Sequence, residues 1–373
     1  MFRITLLLFS NHEMSLVKNT SITLIGSFLA NVLAYVFNIY VARMTGPTSY
    51  GVLGTLLAIL ALAAWVYNSF FSALTKEAAI LQASGQVGQL SHFYHAARKE
   101  VIYFLFTLMV LLGMGSGVLT RYFSLPSVHL IFLSALLIGL SGMMLFNQSM
   151  QRGLRQYLQI SIGRILEALI RLLFVFIFLY MNLDLAGVLY AYGAAYLFIF
   201  IWTHFQLKNS IPSSDESRLP LNRANWYHTG FKLFLSGTIY QLAFFGSSLA
   251  VQYYFSSTTN GYWTAGINIC RITLVFSDSV IQVLFPELSG ERDPLKRRFI
   301  IRKAFLLMLL ITGSAALICG LFPEWIIRIF YGKTFDGAID FLPWQGLMVL
   351  LVSMTQLMFT ILLSKQREKN LSE

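Results

Sequence analysis

The sequence predicts an all-α, polytopic membrane protein of about ten transmembrane helices in two parallel-repeat lobes, the second one short. Three observations carry this. First, 57% of the 373 residues are apolar and only 12% are charged, whereas soluble domains approach a quarter charged. Second, the apolar residues fall in runs long enough to cross a hydrocarbon layer of about 30 Å as helices. Third, Lys and Arg gather on alternate connections.

The ten runs lie near 20–42, 51–74, 101–119, 129–150, 159–181, 185–207, 231–254, 262–285, 301–322 and 341–363. They are too long for barrel strands and do not alternate apolar with polar residues. With the N-terminus in the cytoplasm, inner segments hold 20 basic residues and outer segments 4; Arg164, Arg171 and Arg271 lie inside spans. That asymmetry predicts cytoplasmic N- and C-termini. The net charge of +11 follows from the same distribution and forms no basic domain, so nucleic acid is not a partner. Cys270 and Cys319 lie in apolar runs and form no disulfide framework or metal site. His92 and His95 lack a third ligand, and no cofactor or metal is expected.

Residues 1–13 are expected to be a dispensable extension: their short apolar stretch is followed by "NHE" where a signal peptide would need small residues, and a start at Met14 would leave "MSLVKNT" ahead of the first span. Residues 14–207 make an N-lobe of six spans. Residues 208–230, "KNSIPSSDESRLPLNRANWYHTG", make a cytoplasmic linker, and 231–373 a C-lobe of four spans. The two lobes repeat. A shift of 210 residues lays "RMTGPTSYG" (43–51) on "YYFSSTTNG" (253–261), Thr48 on Thr258 and Gly51 on Gly261. Glu77 then falls on Glu287, and Arg98-Lys99 and Arg302-Lys303 each open a third helix. Six spans separate the copies, so both enter the membrane in the same direction, as in parallel repeats.

Ionisable groups inside spans are costly and mark functional sites. The fifth span places Arg164, Glu167 and Arg171 within about 60° of arc, and the eighth places Asn268, Arg271, Asp278 and Gln282 within about 80°. Arg171 and Arg271 fall at one depth near the midplane, too deep to snorkel. Two readings stand. The arginines line a water-filled cavity and take an anion on their planar forks, or they pair with Glu167 and Asp278 as fixed salt bridges. In the first reading Glu167 and Asp278 also serve as ion carriers. Ser27, Asn31, Tyr35 and Asn38 share a face of the first span, and Gln241, Ser248 and Gln252 a broadly corresponding stripe of the seventh. They either meet sugar hydroxyls or glue helices together. Arg43 ends the first span, as an interfacial anchor or as a contact for a departing anion.

"ARMTGPTSYGVLGTLLAI" (42–59) and "VLFPELSG" (283–290) resemble bacterial Wzx-type polysaccharide flippases of the multidrug, oligosaccharidyl-lipid and polysaccharide exporter superfamily. The resemblance runs from about Met14 to the C-terminus. It implies an inner-membrane flippase for an undecaprenyl-pyrophosphate-linked oligosaccharide, such as an O-antigen unit. It also implies a polysaccharide polymerase and chain-length proteins as partners. That family usually has twelve to fourteen helices, so the expected ten leave the second lobe a pair short. Two alternatives remain. A cation-coupled exporter of the superfamily would want an acid inside the first two spans, where there is none. A membrane enzyme would want a carboxylate pair on a sizeable outer loop, and the largest, 323–340, offers Glu324, Asp336 and Asp340. No catalytic pair stands out there, and no enzyme is expected.

Overall fold

The computed structural model describes residues 11–211, 223–290 and 293–372. Side chains are described at these positions except 11–22, 87, 223–225, 236, 278, 279, 282, 283, 285–287, 289, 290, 294 and 363–372. Of the dispensable extension expected at 1–13, residues 1–10 lie outside the described residues and 11–13 already belong to a helix. Of the linker expected at 208–230, residues 212–222 lie outside them, and the flanking helices run into it, to Ser210 and from Arg223.

All regular structure among the described residues is helical. α1 (Asn11–Ala83) carries the first two predicted spans, broken at Gly46 with φ 74 and ψ 173. Glycine alone reaches that conformation cheaply, and Pro47 behind it has no N–H to continue the ladder. The expected outer turn is thus one bend, after which the helix resumes at once. α2 (Val87–Met114) and α3 (Ser116–Tyr122) bend by 55° at Gly115. α4 (Val128–Gly153) is capped by Ser127, whose hydroxyl accepts from the His129 N–H at 3.2 Å. α5 (Tyr157–Tyr180) and α6 (Asp184–Ser210) follow.

Next come α7 (Arg223–Gln241), a π turn at Leu242–Gly246 and α8 (Ser247–Tyr254). α9 (Ser257–Gly290) precedes α10 (Pro294–Leu321), which opens on an Asp293 cap accepting from the Leu295 N–H at 2.9 Å. α11 (Pro323–Phe330), a 3₁₀ turn at Lys333–Ala338 and α12 (Leu342–Ser372) complete the chain. Eight of the ten predicted spans fall on one helix each, while 101–119 runs over the bend between α2 and α3 and 231–254 over the π turn between α7 and α8. α10 begins seven residues earlier than its predicted span because "LKRRFIIRK" is helix-forming, although it is too charged to be membrane core.

Among the described residues five helices are long and apolar enough to span a membrane, or seven if each bent pair is one span. One of the five, Thr23–Ala83, has 61 residues and would be about 92 Å long if straight, so with its bend it crosses twice. α5 is long enough too, but carries Arg164, Glu167 and Arg171. The chain is a multi-pass membrane protein.

Contacts divide it into two compact units, one holding residues up to Thr45 and Thr55–Leu249, the other Gly46–Gly54 and Ala250 onward. In the first unit α4 is the central helix, packed on α2 and α6. Two amide contacts join α4 to α6: Asn147 Nδ2 donates to Thr203 Oγ1 at 3.1 Å, and Gln151 Nε2 to Gln206 Oε1 at 2.8 Å. Such bonds substitute for the hydrophobic drive that lipid does not supply. In the second unit Leu284, Leu288, Ala304, Met308 and Leu357 form a core among α9, α10 and α12.

The repeated turns meet inside the second unit. Thr48 Oγ1 and Thr258 Oγ1 share a hydrogen bond of 2.8 Å across 210 residues. A Cβ added at Gly51 would strike the Ser257 carbonyl, and one added at Gly261 would strike the Pro47 carbonyl. Ser257 is Pro47 shifted by 210, so the two clashes are mirror versions of one contact. Gly54 likewise sits against its own equivalent, Thr264. Equivalent residues touch only at a two-fold axis, so the repeat read from the sequence is a local symmetry of the fold. Asn260 adds to it, donating to the Gly51 carbonyl at 2.8 Å.

Replacing Gly51 or Gly261 by Val should therefore push two backbones apart. Overpacking of this kind costs about 1–3 kcal/mol or more. Thermal unfolding in detergent should show either variant melting well below the parent, and Thr48→Ala only slightly below it.

Candidate functional site

The fifth predicted span, α5, shows why its charges were singled out. Spacings of three and four put Arg164, Glu167 and Arg171 on one face of the helix. That face meets the first half of α1 and α6. Arg164 Nη1 donates to Ser27 Oγ at 2.7 Å. Arg171 lies between two rings, its guanidinium carbon 4.8 Å from the centroids of both Phe37 and Tyr192. The two rings meet edge to face at 5.3 Å and 81°. Tyr196, one turn beyond Tyr192, extends the aromatic wall with centroids 5.8 Å apart.

Glu167 Oε1 is 3.9 Å from Arg171 Nη1, a long ion pair. The Arg171 and Glu167 side chains are 12% and 19% exposed, and Arg171 Nε has no hydrogen-bond partner among the described residues. Cation–π contact with the two rings holds the guanidinium in place without giving its N–H groups a lone-pair acceptor. The first unit thus presents a cation fixed in place, loosely neutralised, with donor capacity in reserve.

The other candidate residues are distributed as follows. Asn38 donates to the Ala34 carbonyl of its own helix at 2.9 Å. Asn31 is half-buried on the same helix, and Arg43 is exposed three residues before the Gly46 bend. Gln241, half-buried, is the last residue of α7 before the π turn. In the second unit Asn268 donates to the Tyr50 hydroxyl at 2.9 Å. Tyr50 in turn packs on Phe335 and Tyr331, with centroids 5.9 and 6.1 Å away. Arg271 is half-buried one turn further along α9. The side chains of Asp278 and Gln282 lie outside the described residues. Phe37 and Tyr192 were missed from the sequence. Tyr192 and Tyr196 at helical spacing are a signal, but aromatic residues are so frequent in this chain that the pair does not stand out.

Two carboxylates of the 323–340 connection, Glu324 and Asp336, are engaged with one arginine. Arg328 donates to Asp336 Oδ1 from Nε at 3.0 Å and to Oδ2 from Nη2 at 2.7 Å, and also pairs with Glu324. A bidentate clamp closes this connection and takes up two of the three acids weighed for acid–base work, Glu324 and Asp336.

The residues 16–290 match the family model described as polysaccharide biosynthesis protein. The chain belongs to the polysaccharide biosynthesis protein family. No curated protein matches this family member by sequence. Its fold is similar to the inward-facing conformation of a multidrug resistance MATE family transporter of the MOP superfamily. The TM-score is 0.68 at 12% identity, over 90% of this chain and 83% of that one. The outward-facing conformation of a MATE family transporter of the MOP superfamily gives 0.65 at 14% identity, over 94% and 83%. A MOP superfamily transporter from Pyrococcus furiosus, described as having a binding pocket of reverse polarity, gives 0.62 at 15% identity, over 92% and 84%. At these identities the likeness is one of fold, and it agrees with the two-lobed, all-helical architecture expected of this family member.

The Arg328 clamp has a pH signature. Its hydrogen bonds and charge hold the Asp336 carboxyl below its usual value of 3.8. A depressed folded-state value means the contribution is fully present above the ordinary carboxylate range and is lost as pH falls through the folded value. Melting temperature should therefore drop less between pH 5 and about 3 in Asp336→Asn than in the parent, with the variant already lower at pH 7.

Proposed function

We propose that this protein carries an oligosaccharide linked to undecaprenyl pyrophosphate from the inner to the outer leaflet of the bacterial cytoplasmic membrane, by alternating access. The observation that carries the reading is Arg171. A guanidinium inside a predicted span, gripped by Phe37 and Tyr192, faces an acid 3.9 Å away and keeps an unpartnered Nε. A fixed structural salt bridge would be shorter and would saturate the donors, because an arginine in hydrocarbon is expensive until it is paired. A phosphate fits what is left over: two acceptor oxygens in a plane match the fork. Membership of a polysaccharide biosynthesis family supports a sugar-bearing substrate.

The chemistry is binding and release, with no bond made or broken. Arg171 and Arg164 attract the charged head out of the headgroup layer, while the lipid tail stays in the bilayer. Half-buried amides such as Asn31 and Asn268 supply neutral donors and acceptors for hydroxyl groups. Glu167 exchanges its arginine partner for a proton when the phosphate takes over that arginine, and Asp278 is the second acid assigned to this coupling. Arg271, Arg43, Gln241, Asn38 and Gln282 are secondary contacts in this reading. A polymerase and chain-length proteins would receive the exported unit.

The second reading, a cation-coupled exporter of small molecules, draws on the similarity in fold to multidrug transporters. It places the working charge on Glu167 rather than on Arg171.

The two readings separate on one residue. In cells whose surface polysaccharide depends on this protein, Arg171→Ala should cut export at least tenfold and make lipid-linked oligosaccharide build up on the cytoplasmic side. That follows from losing a charge-assisted contact of about 1.5–3 kcal/mol. Arg171→Lys keeps the charge without the fork and should fall between. Full export by the Ala variant, with resistance to toxic cations lost only on Glu167→Gln, would favour the exporter.

A further inference from the structure

Away from Arg171, the first unit holds a second group of donors, at the end of α4 that the charge asymmetry assigns to the cytoplasm. Arg152 stands one residue from that end, and Gln148 lies one turn before it on the same face of α4. Gln148 is 3% exposed, yet its Nε2 finds no hydrogen-bond partner, and neither does the Nε of half-buried Arg152. Arg164, on the adjacent α5, is close enough for its charge to act on Arg152. Arg164 is itself held in place. Its Nη1 donates to Ser27 Oγ at 2.7 Å, and beside Ser27 a Cβ added at Gly26 would strike Ser161, one turn before Arg164. Among the described residues Glu167 is the one acid that acts on Arg164, and Arg171 shares it. No acid among them acts on Arg152.

We propose that Arg152, Arg164 and Gln148 form a binding site for a terminal phosphate group. A buried donor without an acceptor is costly, and two guanidiniums in a poor dielectric repel each other. One anion relieves both. Its kind follows from the donors. A guanidinium fork matches two oxygens of a phosphate, and the amide N–H takes a further one. A carboxylate has two oxygens and one charge, too few for three donor groups and two cations. Metal ions are excluded by the same positive charge. Two sources present such a group: a free phosphate or pyrophosphate anion, and the pyrophosphate head of a prenyl lipid. The argument shares Arg164 with the transport reading but uses neither Arg171 nor its rings, so the two can fail separately.

Inorganic pyrophosphate is the probe. Isothermal titration of the full-length protein in a non-ionic detergent should show a saturable site. Its affinity should fall at least tenfold in Arg152→Gln and severalfold in Gln148→Leu, recover in part in Arg152→Lys, and survive in Arg171→Ala. Without phosphate, Arg152→Gln should melt at or above the parent, because a like-charge repulsion is removed. Pyrophosphate should then raise the melting temperature of the parent and not of that variant. Absence of saturable binding, or binding that Arg152→Gln leaves unchanged, overturns the proposal. So does a variant that melts lower without phosphate, which would make Arg152 a structural residue. Binding lost in Arg171→Ala alone overturns this site and spares the transport reading. Competition by farnesyl pyrophosphate identifies the source. At least tenfold stronger competition than by inorganic pyrophosphate supports a lipid head, and equal competition supports a free anion.

Discussion

Hydrocarbon cannot solvate a charge or an open peptide group, and the rest of this structure depends on that constraint. It forces the chain into helices, because only helices satisfy their own backbone within a single segment. It also makes each charged side chain within a span an exception that the surrounding packing has to answer. Arg171 shows the form of the answer: two aromatic rings close on the guanidinium, and a carboxylate one turn away offsets part of the charge. What remains unsatisfied is the Nε edge, and the functional reading rests there. Arg164, closer to its helix end, needs less and makes do with the Ser27 hydroxyl.

The same constraint acts on packing. Lipid tails are as apolar as leucine, so helices in a membrane associate by close contact and by hydrogen bonds. The crossing at Gly51 and Gly261 is an extreme case, with no room for a single Cβ on either side. Polar groups gather around that crossing, Thr48 with Thr258 and Asn260 with the Gly51 carbonyl. The crossing lies where the two halves of the internal repeat come into register. A repeat with few shared letters has kept the residues that its axis requires and little else, since away from the axis many side chains of similar size serve equally well.

Several residues selected from the sequence for their polarity have local duties. Asn38 was read as part of a polar stripe, and its amide donates within its own helix. Asn268 shares a stripe with Arg271 and donates to Tyr50, which is held in an aromatic cluster with Phe335 and Tyr331. Glu324 and Asp336, weighed as catalytic acids, clamp one connection through Arg328. A polar side chain in a membrane helix has few neighbours to choose from. Which one it takes is set by packing, and sequence spacing reports only the face on which it stands. The donors around Arg152 were invisible for a related reason: they come from residues near 27, 150 and 164, and nothing in any one stretch marks them as neighbours.

The sequence by itself determined the helical spans, the charge asymmetry and the 210-residue offset of the repeat. These depend on composition and on periods within a single segment, which the solvent reads one helix at a time. Only the tertiary structure decided that the expected turn at 43–51 is a single bend at Gly46, and that Phe37 and Tyr192 close on Arg171. It alone placed Gly51 against Gly261 with no room for a Cβ on either. Those outcomes rest on distances between residues far apart in the chain, fixed by the packing of many side chains at once, and no local pattern carries that information.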